Sequence, residues 1–307
     1  MKSKNRFLEN ILEKSLKASS KIFLPESDDL RVKKAINILS SLGFKMIDFE
    51  EISSKRDAYF KLISRKKFTN NWSIDMKNNF LDSPLNLGIV ALENDDIDSL
   101  IAGASHSTSE VLRSSIRIVG INKEARWVSS VFFMLSSNNK LAFTFADCGV
   151  IPDPNSEQLC SIAYGSSKFH KFLTGEEPKV AFLSFSTKGS AEHYKIKKVQ
   201  NAVRIFKKKY PHIIHDGEVQ FDVAINKGIS DRKIGNSLLD GDANVFIFPD
   251  LDSANISYKI TQHLGNFTAL GPLLQGLNKT VHDLSRGCSI EDIVYVTAIA
   301  ALQANEI

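Results

Sequence analysis

Alternation constrains this chain more than any other feature of its sequence. Short apolar runs bounded by turn residues take turns with stretches whose apolar positions recur at helical spacing. Leu8, Ile11, Leu12 and Leu16 share one helix face, as do Val32, Ala35, Ile36 and Leu39, with the apolar run Lys21-Ile22-Phe23-Leu24 between them. The spacing predicts helix, strand, helix. Further strands are expected near Phe44 to Ile52, Gly88 to Leu92, Leu100 to Gly103, Val128 to Leu135, Leu141 to Cys148, Val180 to Ser186, Phe221 to Ile225, Val245 to Pro249 and Ala269 to Leu274. Amphipathic helices fall between many of them, one carrying Ile196, Val199, Val203 and Phe206 and another Ile256, Ile260 and Leu264. Such alternation favours a mainly parallel sheet covered by helices on both faces, so the class is α/β.

At 307 residues the chain is long enough for two domains, each with its own core. Its 39 basic and 35 acidic residues leave a net charge of +4, too small and too evenly spread to indicate a nucleic-acid partner but suited to a small anionic ligand. The basic pieces Arg65-Lys66-Lys67 and Lys207-Lys208-Lys209 lack the interleaved aromatic residues of single-strand binders and read as solvated helix faces. Cys148, Cys160 and Cys288 form no CxxC and leave one thiol over in any pairing scheme, so reduced cysteines in a cytoplasmic compartment are expected. Met1 to Leu24 mixes charges throughout, and no run approaches the ~20 apolar residues of a membrane span, which argues against secretion and membrane insertion. Neither GxGxxG nor GxxxxGK[ST] occurs, so NAD and ATP are poor expectations. HExxH is also missing, and His212 with His215 reads as a surface turn, so no metal is indicated.

Two loops carry the candidate chemistry. Leu100-Ile101-Ala102-Gly103 runs into Ala104-Ser105-His106-Ser107-Thr108-Ser109-Glu110 and then a helix, an arrangement that offers backbone N–H groups and a positive dipole end to an anion. Arg113, about one turn in, is placed for a bidentate phosphate contact; equally, Ser107, Thr108 or Ser109 caps the helix and Arg113 is a surface residue. In the second loop, Asp283-Leu284-Ser285-Arg286-Gly287-Cys288-Ser289 meets the nearly all-apolar helix Ile293 to Leu302. Ser289 and Asp292 have capping-box spacing, which by itself accounts for Asp292. A carboxylate beside a Ser-Arg pair is also what general-base chemistry on a thiol or hydroxyl needs. A third stretch, Phe145 to Pro154, ends a strand in a Pro/Asp turn that either lines a ligand or punctuates the chain.

With those residues the chain resembles the phosphate acetyltransferases of the phosphate acetyl/butyryl transferase family. KIFLPE at Lys21 to Glu26, GASHST at Gly103 to Thr108, SSVFFM at Ser129 to Met134, FSTKGSA at Phe185 to Ala191, DGEVQFD at Asp216 to Asp222, FIFPDLDSANISY at Phe246 to Tyr258, GPLLQG at Gly271 to Gly276 and DLSRGC at Asp283 to Cys288 follow the family's order. The resemblance implies two doubly wound α/β domains, about 1–126 plus 272–307 and about 127–271, with an active-site cleft between them. It implies reversible transfer of an acetyl group between CoA and inorganic phosphate through acetyl phosphate, in a homodimer, with CoA as substrate and no cofactor. In that mechanism Asp292 takes the thiol proton and Ser285 donates a hydrogen bond to the developing charge. Arg286 and Arg113 hold the phosphoryl group, with Ser107 and Thr108 beside it.

Three departures from the family's pattern bear on CoA. His263 stands where an arginine is common in the Tyr258-to-His263 segment, His282 replaces the asparagine before Asp-Leu-Ser-Arg, and Ile63 replaces the arginine of a Leu-Arg-Lys pattern, with Arg65 two places on. His263 is therefore the expected CoA contact. A phosphate butyryltransferase with a roomier acyl pocket and a non-catalytic relative that binds CoA or acyl phosphate are the alternatives.

Overall fold

The computed structural model describes residues 6–137 and 141–305; the first five residues of the Met1-to-Leu24 stretch lie outside them. In chain order the helices and strands are α1 (Arg6–Ala18), β1 (Lys21–Phe23), α2 (Leu30–Leu42), β2 (Lys45–Met46), α3 (Phe49–Ser53), α4 (Arg56–Ser64), α5 (Ile74–Leu81), α6 (Pro84–Glu93), β3 (Ser99–Ala102) and α7 (Thr108–Ile118). There follow β4 (Ser129–Leu135), β5 (Ala142–Ala146), α8 (Ser156–Thr174), β6 (Lys179–Leu183), α9 (Tyr194–Lys209), β7 (Ile214–Val219), α10 (Phe221–Ile225), α11 (Lys227–Lys233), β8 (Val245–Ile247), α12 (Leu251–Gly265), β9 (Thr268–Gln275), β10 (Thr280–Asp283) and α13 (Ile290–Gln303). The chain divides into two compact units, Met1–Glu124 with Gly271–Ile307, and Ala125–Leu270.

The first unit holds a four-stranded sheet in the order β10-β3-β1-β2, parallel at every step. Helix α13 packs on α1, α2 and the strands β1, β3 and β10. Its residues Ile293 to Ala301 are all buried, which is why that segment is apolar on every face rather than along one stripe. Parallel pairing sets Phe23 beside Leu100 and Asp283 beside Ala102, so the chain leaves β1, β3 and β10 at the same end of the sheet. Loops at the carboxyl ends of neighbouring parallel strands are where open α/β sheets collect ligands. Gly103 makes their close approach possible: its φ is +110°, and a Cβ there would lie 2.3 Å from Asp283 Oδ1 and 2.6 Å from the backbone nitrogen of Leu284.

The second unit is built on a sheet in the order β7-β6-β8-β5-β4-β9. Strands β7, β6, β8 and β5 run parallel and β4 is antiparallel to β5. Phe132, Phe145, Phe246 and Tyr258 centre its core, with the Phe132 and Tyr258 rings stacked 3.9 Å apart. At the end of β5 the buried Asp147 accepts hydrogen bonds from the backbone N–H groups of Ser130, Gly149, Val150 and Ile151 and from the Ser130 hydroxyl. That accounts for the turn in Phe145 to Pro154 as a structural device: one carboxylate satisfies a cluster of turn donors, although burial pushes its pKa up.

Four local expectations need correction. Gly88 to Leu92 lie inside helix α6, where Leu87 to Leu92 are all buried; an unbroken apolar run does not distinguish strand from buried helix, and the deciding signal is Ser83 as cap with Pro84 in the first turn. Only the start of Phe44 to Ile52 is strand, because Asp48 caps α3 by accepting from Glu51 N–H. Phe221 to Ile225 form the short helix α10. The strand there is β7, just before it, masked in the sequence by the buried polar residues His215, Asp216 and Glu218. His215 is accordingly no surface-turn residue: its ring is buried against Phe206, and its Nδ1 lies 2.7 Å from the Ile213 carbonyl.

Candidate active site

The loop from β3 to α7 was expected to present free N–H groups to an anion. The structure fills three of them from within. The Glu26 carboxylate accepts from the backbone N–H groups of Ala104, Ser105 and His106 at 2.8, 2.9 and 2.7 Å, and its Oε1 lies 2.7 Å from His106 Nδ1. A buried loop needs its donors satisfied, and a carboxylate at the exit of the neighbouring strand does so with charge-assisted bonds. Ser107 is the cap of α7 in a full capping box with Glu110, its N–H donating to Glu110 Oε2 at 2.8 Å. Thr108 donates to Asp283 Oδ2 at 2.5 Å. Next to these loops α7 offers its positive end, and Arg113 on α7 and Arg286 after β10 are exposed, neither in an ion pair among the described residues.

Arg31, on the first turn of α2, ties the loops together. Its Nη1 donates to the carbonyls of Arg286 and Cys288 at 2.7 and 3.0 Å, and its Nη2 to the Ala104 carbonyl at 3.0 Å. Nε and Nη2 also grip the Asp29 carboxylate at 3.1 and 2.7 Å, which draws the Asp29 pKa down to about 2. The planar fork thus fixes the β3 exit loop and the β10 exit loop to one helix start. Ser285 Oγ accepts from Gly287 N–H at 3.3 Å, so its own hydrogen remains available to donate. Cys288 lies in the same turn, but burial pushes its thiol up to about 11, so it is not a thiolate near neutral pH.

Asp292 is observed in the capping box that its spacing suggests: it accepts from Ser289 N–H at 2.9 Å, and its own N–H donates to Ser289 Oγ at 3.1 Å. Only Oδ2 is used there, and the residue is half-buried, so capping leaves the carboxylate an oxygen for other work. Ser285, Arg286, Asp292, Ser107, Thr108 and Arg113 all belong to the first unit, on the exits of adjacent strands or the helix starts that follow. His263 belongs to the second unit, exposed in the last turn of α12.

The departures acquire structural places. Ile63 is fully buried in α4 and Arg65 is exposed just past its end. His282 is fully buried in β10, where its Nδ1 accepts from the Leu274 N–H at 3.0 Å and burial lowers its pKa to about 4, so it acts as a neutral strut between strands. Sequence reasoning missed Glu26, Arg31 and Asp283. A charged residue directly after an apolar strand run, as in Phe23-Leu24-Pro25-Glu26, is a usable signal; Asp283 was quoted only as part of a motif. Among the described residues no group of three or more His, Cys, Asp or Glu is placed to hold a metal ion.

The family model described as phosphate acetyl/butaryl transferase matches residues 37–301. The phosphate acetyltransferase of Acetivibrio thermocellus is 38% identical over 325 residues, an alignment covering 97% of this chain and 98% of that one. That of Thermoanaerobacterium thermosaccharolyticum is 37% identical, covering 97% and 99%. Among solved structures, a phosphotransacetylase from Streptococcus pyogenes is similar at a TM-score of 0.86 and 33% identity over 100% of both chains.

Asp283 offers a test of the burial argument. Its carboxyl is fully buried and its pKa is raised to about 7 by desolvation, against the Thr108 hydrogen bond that favours the charged form. Between the unfolded pKa of about 3.9 and about 7 the native state holds a proton that the unfolded state has released, so stability falls as pH rises through that window. Asp283→Asn removes this loss. The melting temperature of the variant relative to wild type should climb from pH about 4 to about 7 and then level off; a difference independent of pH would mean that the carboxyl ionises normally.

Proposed function

Because the chain belongs to the phosphate acetyl/butyryl transferase family, we propose that it transfers an acetyl group reversibly between coenzyme A and inorganic phosphate: acetyl-CoA + phosphate ⇌ acetyl phosphate + CoA. The observation that carries the reading is that Ser285, Arg286 and Asp292 follow β10, whose last residue Asp283 is bonded by Thr108 at the start of α7, the helix that carries Arg113. In the direction of acetyl-CoA synthesis, the free oxygen of Asp292 takes the proton of the CoA thiol and the thiolate attacks the acetyl phosphate carbonyl. The hydroxyl of Ser285 donates to the oxyanion that develops. Arg286 and Arg113 hold the phosphoryl oxygens with their planar forks, a fit that a lysine point charge does not reproduce. A protonated, buried Cys288 supports direct transfer without an acylated cysteine. CoA enters as substrate and no cofactor is needed; the exposed His263 is the proposed CoA contact in the second unit.

Three buried, unpaired cysteines support a cytoplasmic setting in acetate metabolism. No helix among the described residues is long and apolar enough to cross a membrane. A homodimer is proposed from a stripe on α12, where Ile256, Ile260 and Leu264 are 57%, 53% and 82% exposed at successive turns of one face. Burying that stripe against a second copy removes apolar surface that a monomer would leave in water. Light scattering should give the mass of two chains, and Ile260→Asp should shift it towards one; a wild-type mass of one chain at micromolar concentration rejects the dimer.

The function is tested by phosphate-dependent release of CoA from acetyl-CoA on the purified chain. Release is expected, with acetyl-CoA preferred over butyryl-CoA; a preference for butyryl-CoA would move the substrate to a longer acyl group, and no release under any condition would leave a CoA-binding relative. In the same assay Arg286→Lys should lose about 10²-fold or more in rate with the melting temperature unchanged. Unaltered kinetics would remove Arg286 from the site.

A further inference from the structure

The proposed reaction has a proton balance that Asp292 alone does not close. In acetyl-CoA synthesis the carbonyl carbon loses its bond to the phosphate oxygen, and the electron pair of that bond stays on the oxygen. Unprotonated, the departing group is the phosphate trianion, a strong base and a poor leaving group; with one proton it is hydrogen phosphate. Asp292 is occupied with the thiol proton on the other reactant. The phosphate side therefore calls for an acid of its own.

His106 has the geometry for it. Its ring Nδ1 lies 2.7 Å from Glu26 Oε1, and the Glu26 side chain is 2% exposed while that of His106 is 28% exposed. The carboxylate already accepts three backbone N–H groups, so it also accepts from Nδ1–H, and Nε2 is the nitrogen left for an external partner. A buried carboxylate that fixes the tautomer and orientation of a partly exposed imidazole is the arrangement by which hydrolases prepare a histidine for proton transfer. The loop is also in the right place. Arg31 donates to Ala104 O, two residues before His106, and to Arg286 O, and β3 and β10 pair directly up to Ala102 and Asp283. Glu26 after β1 faces the ring directly, and the elements flanking the loop carry Asp29 and Arg31 at α2, Glu110 and Arg113 on α7, and Asp283 and Arg286 at the β10 exit. Of these, only Glu26 bonds the ring.

We propose that His106, oriented by Glu26, is the acid–base residue on the phosphate side of the reaction. Its imidazolium gives the Nε2 proton to the phosphoryl oxygen as the carbon–oxygen bond breaks, and takes a proton back when hydrogen phosphate attacks acetyl-CoA. Asp292 meanwhile gains the thiol proton and releases it to solvent, from which the neutral His106 ring is reprotonated for the next turnover. The sum is CoA thiol and acetyl phosphate dianion giving acetyl-CoA and hydrogen phosphate dianion, balanced in atoms and charge. This rests on the acetyl-transfer reading above.

The test uses the full chain and two readouts. In acetyl-CoA synthesis from acetyl phosphate, His106→Gln and His106→Asn should lower kcat by about 10²-fold or more, leave KM for CoA within about threefold, and abolish the limb of the pH–rate profile that reports an imidazole. In the wild-type chain labelled with nitrogen-15 histidine, the Nε2 resonance of His106, assigned through backbone connectivity, should move on addition of inorganic phosphate. That second readout stands even if the variants fold poorly. Wild-type kcat and pH profile in both variants, or a His106 ring indifferent to saturating phosphate, would overturn the assignment while leaving the acetyl-transfer reading intact. A wild-type chain that makes no acetyl-CoA at all would instead sink that reading and this inference with it.

Discussion

The Arg31 guanidinium is the interaction on which the candidate site depends. One planar group bonds Asp29 on its own helix start, the Ala104 carbonyl after β3 and the Arg286 and Cys288 carbonyls after β10. These segments are distant in sequence, and parallel pairing brings only their strands together; the fork fixes the loops that follow. Each carbonyl it serves would otherwise need a donor in a partly buried place, where an unmade hydrogen bond costs about 1–3 kcal/mol. The backbone under Arg286 is thereby held while its own guanidinium stays exposed for an anion.

Carboxylates around the same strand ends complete the local framework. Glu26 occupies the N–H groups of the β3 exit, Glu110 closes the cap of α7, Asp283 receives Thr108 across two elements, and Asp292 closes the cap of α13. In the proposed mechanism two of them also take part in the chemistry, Asp292 through its second oxygen and Glu26 through the imidazole it orients. Capping and catalysis are compatible here because a carboxylate has more acceptor sites than a cap uses.

Much of this was legible in the sequence, for identifiable reasons. Helices with one apolar stripe, such as the one with Val32, Ala35 and Leu39, carry their period openly, and the strand Ser129–Leu135 shows as a short, wholly buried run. The Ser289–Asp292 cap was readable because capping boxes have fixed spacing. What was hidden depends on tertiary partners. Strand β10 ends in His282 and Asp283, polar residues that meet partners from elsewhere in the chain, among them Leu274 and Thr108. The Gly88-to-Leu92 part of helix α6 reads as a strand because its burial erases the polar face that reveals a helix. Glu26 and Arg31 lie in or beside a recognised motif, yet apart from Asp29 the donors and acceptors their side chains bind are 73 to 257 residues away, beyond any local pattern.

In the proposed mechanism Asp292 serves the helix cap and the thiol proton at once, and one substitution separates the two roles. Asn can still accept the cap hydrogen bond but does not take a proton, so Asp292→Asn should cost at most about 1 kcal/mol of stability while turnover near neutral pH falls by about 10² to 10⁴. Raising the pH supplies thiolate from solution, so the deficit should narrow as the pH approaches a thiol pKa of about 8.5. Rates measured across that range alongside the melting temperature decide the matter. Near-normal turnover of the variant at neutral pH would contradict the account and leave Asp292 as a cap alone.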